Sequence, residues 1–260
     1  MGAGANLLGS GAMNERARSG SRSGNIVILK TGEPVAAVRE RRGQFADLIQ
    51  EAIGPHWDGG YQVVDVVTET PPPPGAAAAY VITGSAANVP DRAPWMERTE
   101  AWLRAVVEHG TPTFGICFGH QILAQALGGE VQRNPRGREM GTLSIERLPG
   151  TGAAAPIFDG LPAQFDAHVT HIDSVVRLPP GAEPLARTAL EDYHAIRFSE
   201  TCYGVQFHPE MDAEVMRTYV ESRRAILVAE GFQVDAMLAA VREAEAGRRT
   251  LQNFVRAFLG

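Results

Sequence analysis

The sequence predicts an α/β fold in which a mostly parallel central sheet carries helices on both faces and antiparallel strands at its edge. The first observation is that short, β-branched apolar runs alternate with amphipathic stretches through the first half of the chain. The second is that short β-like pieces, bounded by Pro and Gly, follow in the second half. Alternation of strands and helices indicates parallel pairing, and the later strands are expected to add an antiparallel edge.

The first strand, helix and strand follow one another within residues 25–67. Residues 25–30 form an apolar run of the kind expected for a strand covered on both faces. Residues 34–53 carry apolar side chains at helix-like spacing, and residues 61–67 return to strand composition. These three segments predict one β-α-β unit.

A second unit follows a stiff proline-rich loop at residues 71–74. It comprises a strand at residues 76–83, an amphipathic helix at 94–109, and a strand at 113–116 that leads into an amphipathic stretch at 118–127. Ligands of such sheets bind at the carboxyl ends of the strands. Both the Thr83-Gly84-Ser85 turn and Cys117 fall at such ends.

The remaining elements are shorter strands and then helices. β-like pieces are predicted at residues 141–148, 175–178, 194–198 and 204–207. From residue 213 to residue 260 the composition is helical, in two amphipathic segments separated near Gly231. We expect these helices to pack on the same domain as the sheet.

Bulk properties exclude several classes of protein. The chain has 260 residues, enough for one large domain, and its formal net charge of −6 argues against a nucleic-acid surface. Residues 1–24 contain no continuous apolar region and are expected to be a disordered leader, and no later stretch has membrane-spanning length. The two cysteines, Cys117 and Cys202, show no metal-like spacing, which predicts a reduced, cytoplasmic protein.

Cys117 is the candidate nucleophile. Gly115 and Gly119 flank it, as in a nucleophile elbow, and the helix that follows favours thiolate over thiol. The amide of Phe118 would point at the attacked carbonyl group, and an amide of the turn at Gly84 would complete an oxyanion hole. An isolated cysteine is more often a buried apolar residue, but the flanking glycines favour the nucleophile.

His208 is the candidate general base. It follows an apolar run and precedes Pro209, which restricts the local chain and presents the imidazole at the end of a strand. Glu210 could accept a hydrogen bond from the ring and support its positive charge. The His-Pro-Glu tripeptide alone is common, so only its combination with Cys117 makes it informative.

Two motifs give the chain a family resemblance. Gly115-Ile116-Cys117-Phe118-Gly119-His120-Gln121 and Gly204-Val205-Gln206-Phe207-His208-Pro209-Glu210 closely resemble the nucleophile elbow and the base-acid pair of class I, triad-type glutamine amidotransferases. Weaker matches extend the resemblance over about residues 25–212. Within that family the chain resembles stand-alone proteins similar to the amidotransferase domain of GMP synthase. The resemblance implies a flavodoxin-like amidotransferase domain over residues 25–212.

The resemblance also implies a reaction and a set of roles. Cys117 would attack the side-chain amide of glutamine to give a γ-glutamyl thioester and ammonia, and water would then release glutamate. His208, oriented by Glu210, would protonate the ammonia, and the amides of Gly84 and Phe118 would hold the oxyanion. The residues implied to shape the glutamine pocket are Ser85, Gln121, His171 and Asp173. The alternative is a helix-terminal hydrogen-bonding role for Gln121 and a surface turn for His171 and Asp173.

No cofactor is predicted, because no Walker-type phosphate loop is present. No metal is predicted either, because His56, His109 and His194 show no ligand-like grouping and His168 is expected in a surface loop. About fifty residues follow Glu210, too few for a synthetase domain. The expected partners are therefore glutamine or a γ-glutamyl compound, together with a separate synthetase subunit or a second copy of the chain, and neither nucleic acid nor membrane.

Two alternatives remain open. The same thiol could cleave γ-glutamyl peptides or amides as a hydrolase. The chain could instead be a non-catalytic regulatory or scaffold subunit, which the intact set of Cys117, His208 and Glu210 argues against.

Overall fold

The computed structural model describes residues 24–150 and 155–260, so that the predicted leader, apart from Gly24, lies outside the described residues. The strands in the described part are β1 (Ile26–Lys30), β2 (Tyr61–Asp65), β3 (Ala79–Ile82), β4 (Thr113–Ile116), β5 (Glu130–Arg133), β6 (Glu139–Arg147), β7 (Gln164–His171), β8 (Asp173–Arg177), β9 (Glu183–Arg187), β10 (Ala195–Arg197) and β11 (Cys202–Val205). Nine of them form one sheet in the order β2-β1-β3-β4-β11-β10-β9-β6-β7, and β5 pairs with β8 in a second sheet.

The first five strands in this order are parallel, and the strands from β10 onward are antiparallel. The predicted fold class is therefore confirmed. Strand β11 pairs in parallel with β4, with Gly204 opposite Gly115. The strand that leads to the predicted base thus lies beside the strand that leads to Cys117.

Helices cover both faces of the sheet. They are α1 (Ala36–Arg42), α2 (Phe45–Ile53), α3 (Pro94–His109), α4 (Phe118–Ala126), α5 (Ala213–Ser222), α6 (Arg224–Ala229), α7 (Val234–Ala240) and α8 (Glu245–Phe258). Alternate residues of each strand point to opposite faces, so Ile28 packs with α2 and α8, whereas Leu29 packs with α3 and α4. Both faces are apolar, which explains the continuous apolar runs of the parallel strands.

Two predicted helical segments are divided further than the sequence indicated. Residues 34–53 form two helices, because Gly43 between them has a φ of 85°. The C-terminal region holds four helices rather than two, with Gly231 at a φ of 88° between α6 and α7. Apolar spacing persists across such breaks because both pieces pack on the same core, so periodicity alone does not locate them.

Three strands of the second half were not predicted: β5, β7 and β9. Strands β5 and β9 lack the apolar alternation of a strand, since β5 is mostly polar and β9 contains a proline. Strand β7 does alternate Phe165, Ala167 and Val169 with polar residues, a strand pattern that was not recognised. Strand β7 pairs with β6 from Glu139 opposite His171 to Glu146 opposite Gln164. Strands β7 and β9 belong to the predicted antiparallel part of the main sheet, whereas β5 belongs to the second sheet.

The C-terminal helix α8 packs against the sheet. Leu251, Phe254 and Val255 belong to the core that contains β1, β3 and β4. The boundary predicted at residue 212 stays a prediction. Among the described residues, no helix combines the length and the apolar character that crossing a bilayer requires.

Candidate active site

Cys117 lies at a sharp turn between β4 and α4. Its φ of 50° and ψ of −100° lie in a region that non-glycine residues seldom adopt. A Cβ atom at Gly115 would lie 2.6 Å from the carbonyl atoms of Gly119, and one at Gly119 would lie 2.5 Å from the carbonyl oxygen of Ile82. The two flanking glycines are therefore needed for the turn to pack, as the sequence predicted.

The backbone fixes Cys117 from both sides. Its amide donates to the carbonyl oxygen of Val205 at 2.8 Å, and its own carbonyl oxygen accepts from the amide of Gln121 at 3.0 Å. Phe118 is the first residue of α4, so its amide is among those that have no partner within a helix. The strained turn thus places the thiol next to a helix N-terminal amide that has no partner within the helix.

His208 lies beyond the end of β11 and shares a cavity with Cys117. Its amide donates to the carbonyl oxygen of His168 at 2.8 Å, and its ring stacks on Phe45 with a centroid distance of 6.4 Å. Nδ1 lies 2.8 Å from Oε1 of Glu210, whereas Nε2 has no hydrogen-bond partner of normal geometry in the described part of the chain. Nε2 is therefore the nitrogen left for a reacting group.

The charge of His208 is set by two opposing effects. Burial lowers the pKa of His208, but the negative charges of Glu210 and of the Cys117 thiolate outweigh it, so the pKa is raised above its usual value. The ring therefore favours the imidazolium form opposite the sulfur atom. Such a pair can attack as a thiolate and donate a proton.

The glycine turn after β3 borders the same site. A Cβ atom at Gly84 would lie 3.1 Å from Cε1 of His208. Oγ1 of Thr31 lies 3.0 Å and 3.1 Å from the carbonyl oxygens of Thr83 and Gly84. Ser85 Oγ donates to the carbonyl oxygen of Thr31 at 2.9 Å and accepts from the amide of Ala87 at 3.1 Å. The hydroxyl of Ser85 thus stabilises the turn.

Of the residues predicted for the site, Cys117, His208 and Ser85 line a cavity of about 160 Å³. Its other walls include Glu33, Phe45, Tyr219 and Arg223. The side chains of Gln121, His171 and Asp173 do not line it. Their contact with a substrate stays a prediction.

A chain of side-chain amides lies behind the sulfur atom. Nε2 of Gln206 donates to Sγ of Cys117 at 3.4 Å, and Nε2 of Gln121 donates to Oε1 of Gln206 at 3.0 Å and to the carbonyl oxygen of Asp173 at 2.7 Å. No role was predicted for Gln206. A signal was present, because Gln206 lies two residues before His208 in the same motif.

His171 and Asp173 do not form a surface turn. They are 4% and 8% exposed, on β7 and β8, so that alternative is wrong. His171 Nδ1 lies 3.0 Å from the carbonyl oxygen of Asp173, and its Nε2 lies 3.0 Å from Oε2 of Glu139. Both ring nitrogens thus face oxygen acceptors.

His194 joins the same cluster, against expectation. Its Nε2 lies 2.8 Å from Oε2 of Glu139, and one ligand atom from each of Glu139, His171 and His194 lies within 4.8 Å of the others. The expectation that His194 has no ligand-like grouping is therefore wrong. The three residues of this cluster lie far apart in the sequence, so their spacing did not reveal the grouping.

The Glu139 cluster satisfies its own charges. Burial raises the pKa of Glu139, but hydrogen bonds from His171 and His194 outweigh it and hold the pKa well below its usual range. These are direct hydrogen bonds between the three side chains, which could otherwise hold a metal ion. The absence of a metal stays a prediction.

His168 was expected in a surface loop and instead lies on β7, where it is 1% exposed. Burial lowers the pKa of His168 to about 4. The ring is therefore neutral, and its backbone carbonyl holds the amide of His208. The expectation failed because β7 was not recognised as a strand.

Comparison with known proteins identifies the family of the chain. The family model described as "Glutamine amidotransferase class-I" matches residues 75–227. The GMP synthase [glutamine-hydrolyzing] of Thermomicrobium roseum is 36% identical over 187 residues, which are 72% of this chain and 32% of that protein. The chain thus spans about a third of the length of this relative.

A second relative is matched over most of its length. Gamma-glutamyl peptidase 5 of Arabidopsis thaliana is 26% identical over 207 residues, covering 79% of this chain and 82% of that protein. Among solved structures, a glutamine amidotransferase from Thermotoga maritima has a TM-score of 0.68 at 19% identity, covering 89% of this chain and 96% of that chain. This last similarity concerns the fold.

Proposed function

Because the chain belongs to the class-I glutamine amidotransferase family, we propose that it hydrolyses the side-chain amide of glutamine through a γ-glutamyl thioester on Cys117. The observation that carries the proposal is the cavity in which the strained Cys117 turn and His208 meet, with Glu210 bonded to the far side of the imidazole. A nucleophile, a base and an orienting carboxylate are the parts that acyl transfer requires.

The first step forms the acyl-enzyme. The Cys117 thiolate attacks the side-chain carbonyl carbon of glutamine, and the carbonyl oxygen gains the negative charge. The amide of Phe118 and an amide of the Gly84 turn are the proposed donors to this oxyanion. Preorganised donors stabilise the charge as it develops, without rearrangement at that moment.

The leaving group requires a proton. His208 donates it from Nε2 to the amide nitrogen as the carbon–nitrogen bond breaks, which releases ammonia and leaves the γ-glutamyl thioester. His208, now neutral, then takes a proton from water, whose oxygen attacks the thioester. The carbon–sulfur bond breaks, and glutamate and the thiolate–imidazolium pair result.

Glu210 keeps His208 in the required state. Its bond to Nδ1, at 2.8 Å, leaves Nε2 as the nitrogen that exchanges protons. Gln121 and His171 are proposed to support the site indirectly. Both face the carbonyl oxygen of Asp173, and these contacts hold α4 and β8 together behind Cys117. Ser85 is proposed to position the oxyanion turn through its bonds to Thr31 and Ala87.

The ammonia is proposed to serve a separate synthetase subunit. The support is the match to about a third of a glutamine-hydrolysing GMP synthase, a protein whose name joins hydrolysis to synthesis. The site at which the ammonia reacts would then belong to that separate subunit.

A second candidate function is hydrolysis of γ-glutamyl peptides by the same thioester route. The observation that favours it is the match to a γ-glutamyl peptidase over 82% of that protein's length. In this reaction His208 would protonate the amine of the departing peptide rather than ammonia. The scaffold alternative has no comparable support.

The experiment measures glutamate release from L-glutamine by the purified protein and by its Cys117→Ala variant. Wild-type protein releases glutamate and Cys117→Ala does not, while Cys202→Ala, which changes the other buried cysteine, serves as the matched control. Brief incubation with substrate and rapid acid quenching should give an intact-mass increase of one glutamyl group that is absent from Cys117→Ala. Equal glutamate release by wild type and Cys117→Ala would refute the proposal.

The two candidate substrates are separated by kcat/KM. L-Glutamine and L-γ-glutamylglycine are compared with the same preparation. A strong preference for the dipeptide would assign the chain to the second function.

A further inference from the structure

Arg223 lines the cavity beside Cys117 without a counter-ion. Its guanidinium forms no ion pair or side-chain hydrogen bond with any residue in the described part of the chain, although the side chain is partly buried. The contact that it does make is with the ring of Tyr219, whose centroid lies 5.7 Å from Cζ. The neighbouring Arg224 differs, since it bonds to Glu221 at 2.8 Å and to Asp235 at 2.9 Å.

The backbone holds Arg223 in this position. Arg223 joins α5 to α6, and its amide lies 3.1 Å from the carbonyl oxygen of Tyr219 and 3.3 Å from that of Val220. Tyr219 is 3% exposed and lines the same wall of the cavity. The backbone that carries the guanidinium is thus fixed at a helix junction, and the guanidinium lies over the ring of Tyr219.

The remaining charges of the cavity do not neutralise Arg223. Glu33 lies on the cavity wall, but its carboxylate pairs with Lys30 at 3.1 Å and with Arg39. His208, which is already bonded to Glu210, adds positive charge. Arg223 therefore keeps its charge without a carboxylate partner in the described part of the chain.

An unpaired guanidinium in a cavity is unfavourable, because burial removes water from a charge that gains no partner. Burial lowers the pKa of Arg223, which reflects the same cost. A bound anion would remove the cost, and a carboxylate suits the planar fork of arginine, which can donate two parallel hydrogen bonds. The geometry points to an anionic ligand.

We propose that Arg223 binds a carboxylate of the γ-glutamyl substrate while Cys117 attacks its amide. This inference rests on the proposed function. Two carboxylates could occupy the place: the α-carboxylate of the γ-glutamyl group, present in glutamine, or the carboxylate of the departing amino acid, present only in a γ-glutamyl peptide.

The experiment compares wild type, Arg223→Gln and Arg223→Lys, with Arg224→Gln as the matched control. The substrates are L-glutamine, L-γ-glutamylglycine and L-glutaminamide, in which a neutral amide replaces the α-carboxylate of glutamine. A lost charge-assisted interaction with the α-carboxylate should lower kcat/KM of Arg223→Gln for glutamine and the dipeptide by ~10- to 100-fold, mainly through KM. Glutaminamide turnover should change little, and Arg223→Lys should regain part of the loss.

The substrate that responds identifies the carboxylate. A loss confined to γ-glutamylglycine assigns Arg223 to the departing amino acid, whereas an equal loss for glutamine assigns it to the α-carboxylate. If Arg223→Gln keeps the wild-type kcat/KM for both substrates, the proposal is overturned.

A second measurement needs no turnover and so separates this inference from the proposed function. The rates at which iodoacetate, an anion, and iodoacetamide, a neutral reagent, alkylate Cys117 are compared, with the site of modification verified by peptide mapping. Arg223→Gln should lower the ratio of the iodoacetate rate to the iodoacetamide rate several-fold relative to wild type and Arg224→Gln, because the guanidinium attracts only the anionic reagent. An enzyme that releases no glutamate would refute the proposed function alone, and an unchanged ratio would then refute the role of Arg223.

Discussion

The side-chain amide of Gln206 donates a hydrogen bond to Sγ of Cys117 across 3.4 Å. Gln121 fixes the direction of this amide, because its own Nε2 donates to Oε1 of Gln206 at 3.0 Å and leaves the NH₂ group for the sulfur. A donor stabilises a thiolate more than a thiol. Gln206 is therefore a positioning residue that acts on the nucleophile without lining the cavity.

Replacing Gln206 by methionine keeps the length of the side chain and removes the donor. We expect the Gln206→Met variant to be alkylated by iodoacetamide at Cys117 roughly 10-fold more slowly at neutral pH, as the loss of a hydrogen bond to a charged group predicts. Stopped alkylation followed by peptide mapping measures this rate. The control is Gln125→Met. Gln125 lies on α4, and its Oε1 accepts a hydrogen bond from the amide of Val131, away from the sulfur atom, so this variant should keep the wild-type rate.

Glu210→Gln tests the charge that holds His208 as an imidazolium. The carboxylate raises the pKa of His208, so the proton stays on the ring as the pH rises toward that raised value. Without the charge the pKa falls, and the alkaline limb of the pH profile of kcat should move to lower pH. We expect kcat to fall roughly 100-fold, within the range for loss of acid-base catalysis. An unshifted alkaline limb would contradict the assigned role of Glu210.

His168 should make the fold sensitive to acid. Its folded-state pKa of about 4 lies below that of a histidine in the unfolded chain, about 6.5. The stabilising effect of the neutral ring is thus present above pH ~6.5 and is lost as the pH falls toward about 4, when the unfolded chain binds a proton that the folded protein excludes. We expect the free energy of unfolding to decrease by roughly 1 to 3 kcal/mol over this interval.

Urea unfolding of wild type and His168→Gln at a series of pH values measures the effect of His168. The variant should show a shallower decrease, although a decrease remains because burial also lowers the pKa of His120, to about 3. His109→Gln, at an exposed position, is the control. Parallel curves for wild type and His168→Gln would contradict the prediction.

Gly119→Ala should disrupt the elbow by direct overlap. The added Cβ would lie 2.5 Å from the carbonyl oxygen of Ile82, a backbone atom of the central strand β3 that cannot move alone. We expect a loss of roughly 1 to 3 kcal/mol in the free energy of unfolding, as for overpacking, and a loss of Cys117 reactivity. Thermal unfolding and iodoacetamide alkylation measure the two effects.

Gly181→Ala separates this overlap from backbone strain. Gly181 has a φ of 79°, but an added Cβ there would meet no atom within 4 Å. We expect a loss of only ~1 kcal/mol and normal reactivity of Cys117. Equal effects of the two variants on the thiol would show that steric overlap at Gly119 does not control the elbow.

The parallel half of the fold could be predicted from the sequence, because the strands of that half are buried on both faces and its helices are amphipathic. The elbow at Cys117 was predictable because Gly115 and Gly119 record locally the steric needs of the turn. The pair of His208 and Glu210 was predictable because both residues lie in one short motif.

The rest depends on contacts between distant segments. Glu139, His171 and His194 meet only when β6, β7 and the segment before β10 come together. Strand β7 alternates polar and apolar residues, but most residues of both sets are buried in the folded chain, so the pattern did not show that His168 is buried. Arg223 reaches the cavity from a helix junction that periodicity did not reveal, so its position was not foreseen.

The pairing of β4 with β11 sets the order in which the site can assemble during synthesis. The amide of Cys117 bonds to the carbonyl oxygen of Val205, so the elbow obtains β11, the second neighbour of β4, only after almost ninety further residues have left the ribosome. Closing such a long loop is slow compared with local helix formation. A nascent chain therefore carries its cysteine without an opposing imidazole, and the ability to open an amide is acquired only on completion of the central sheet.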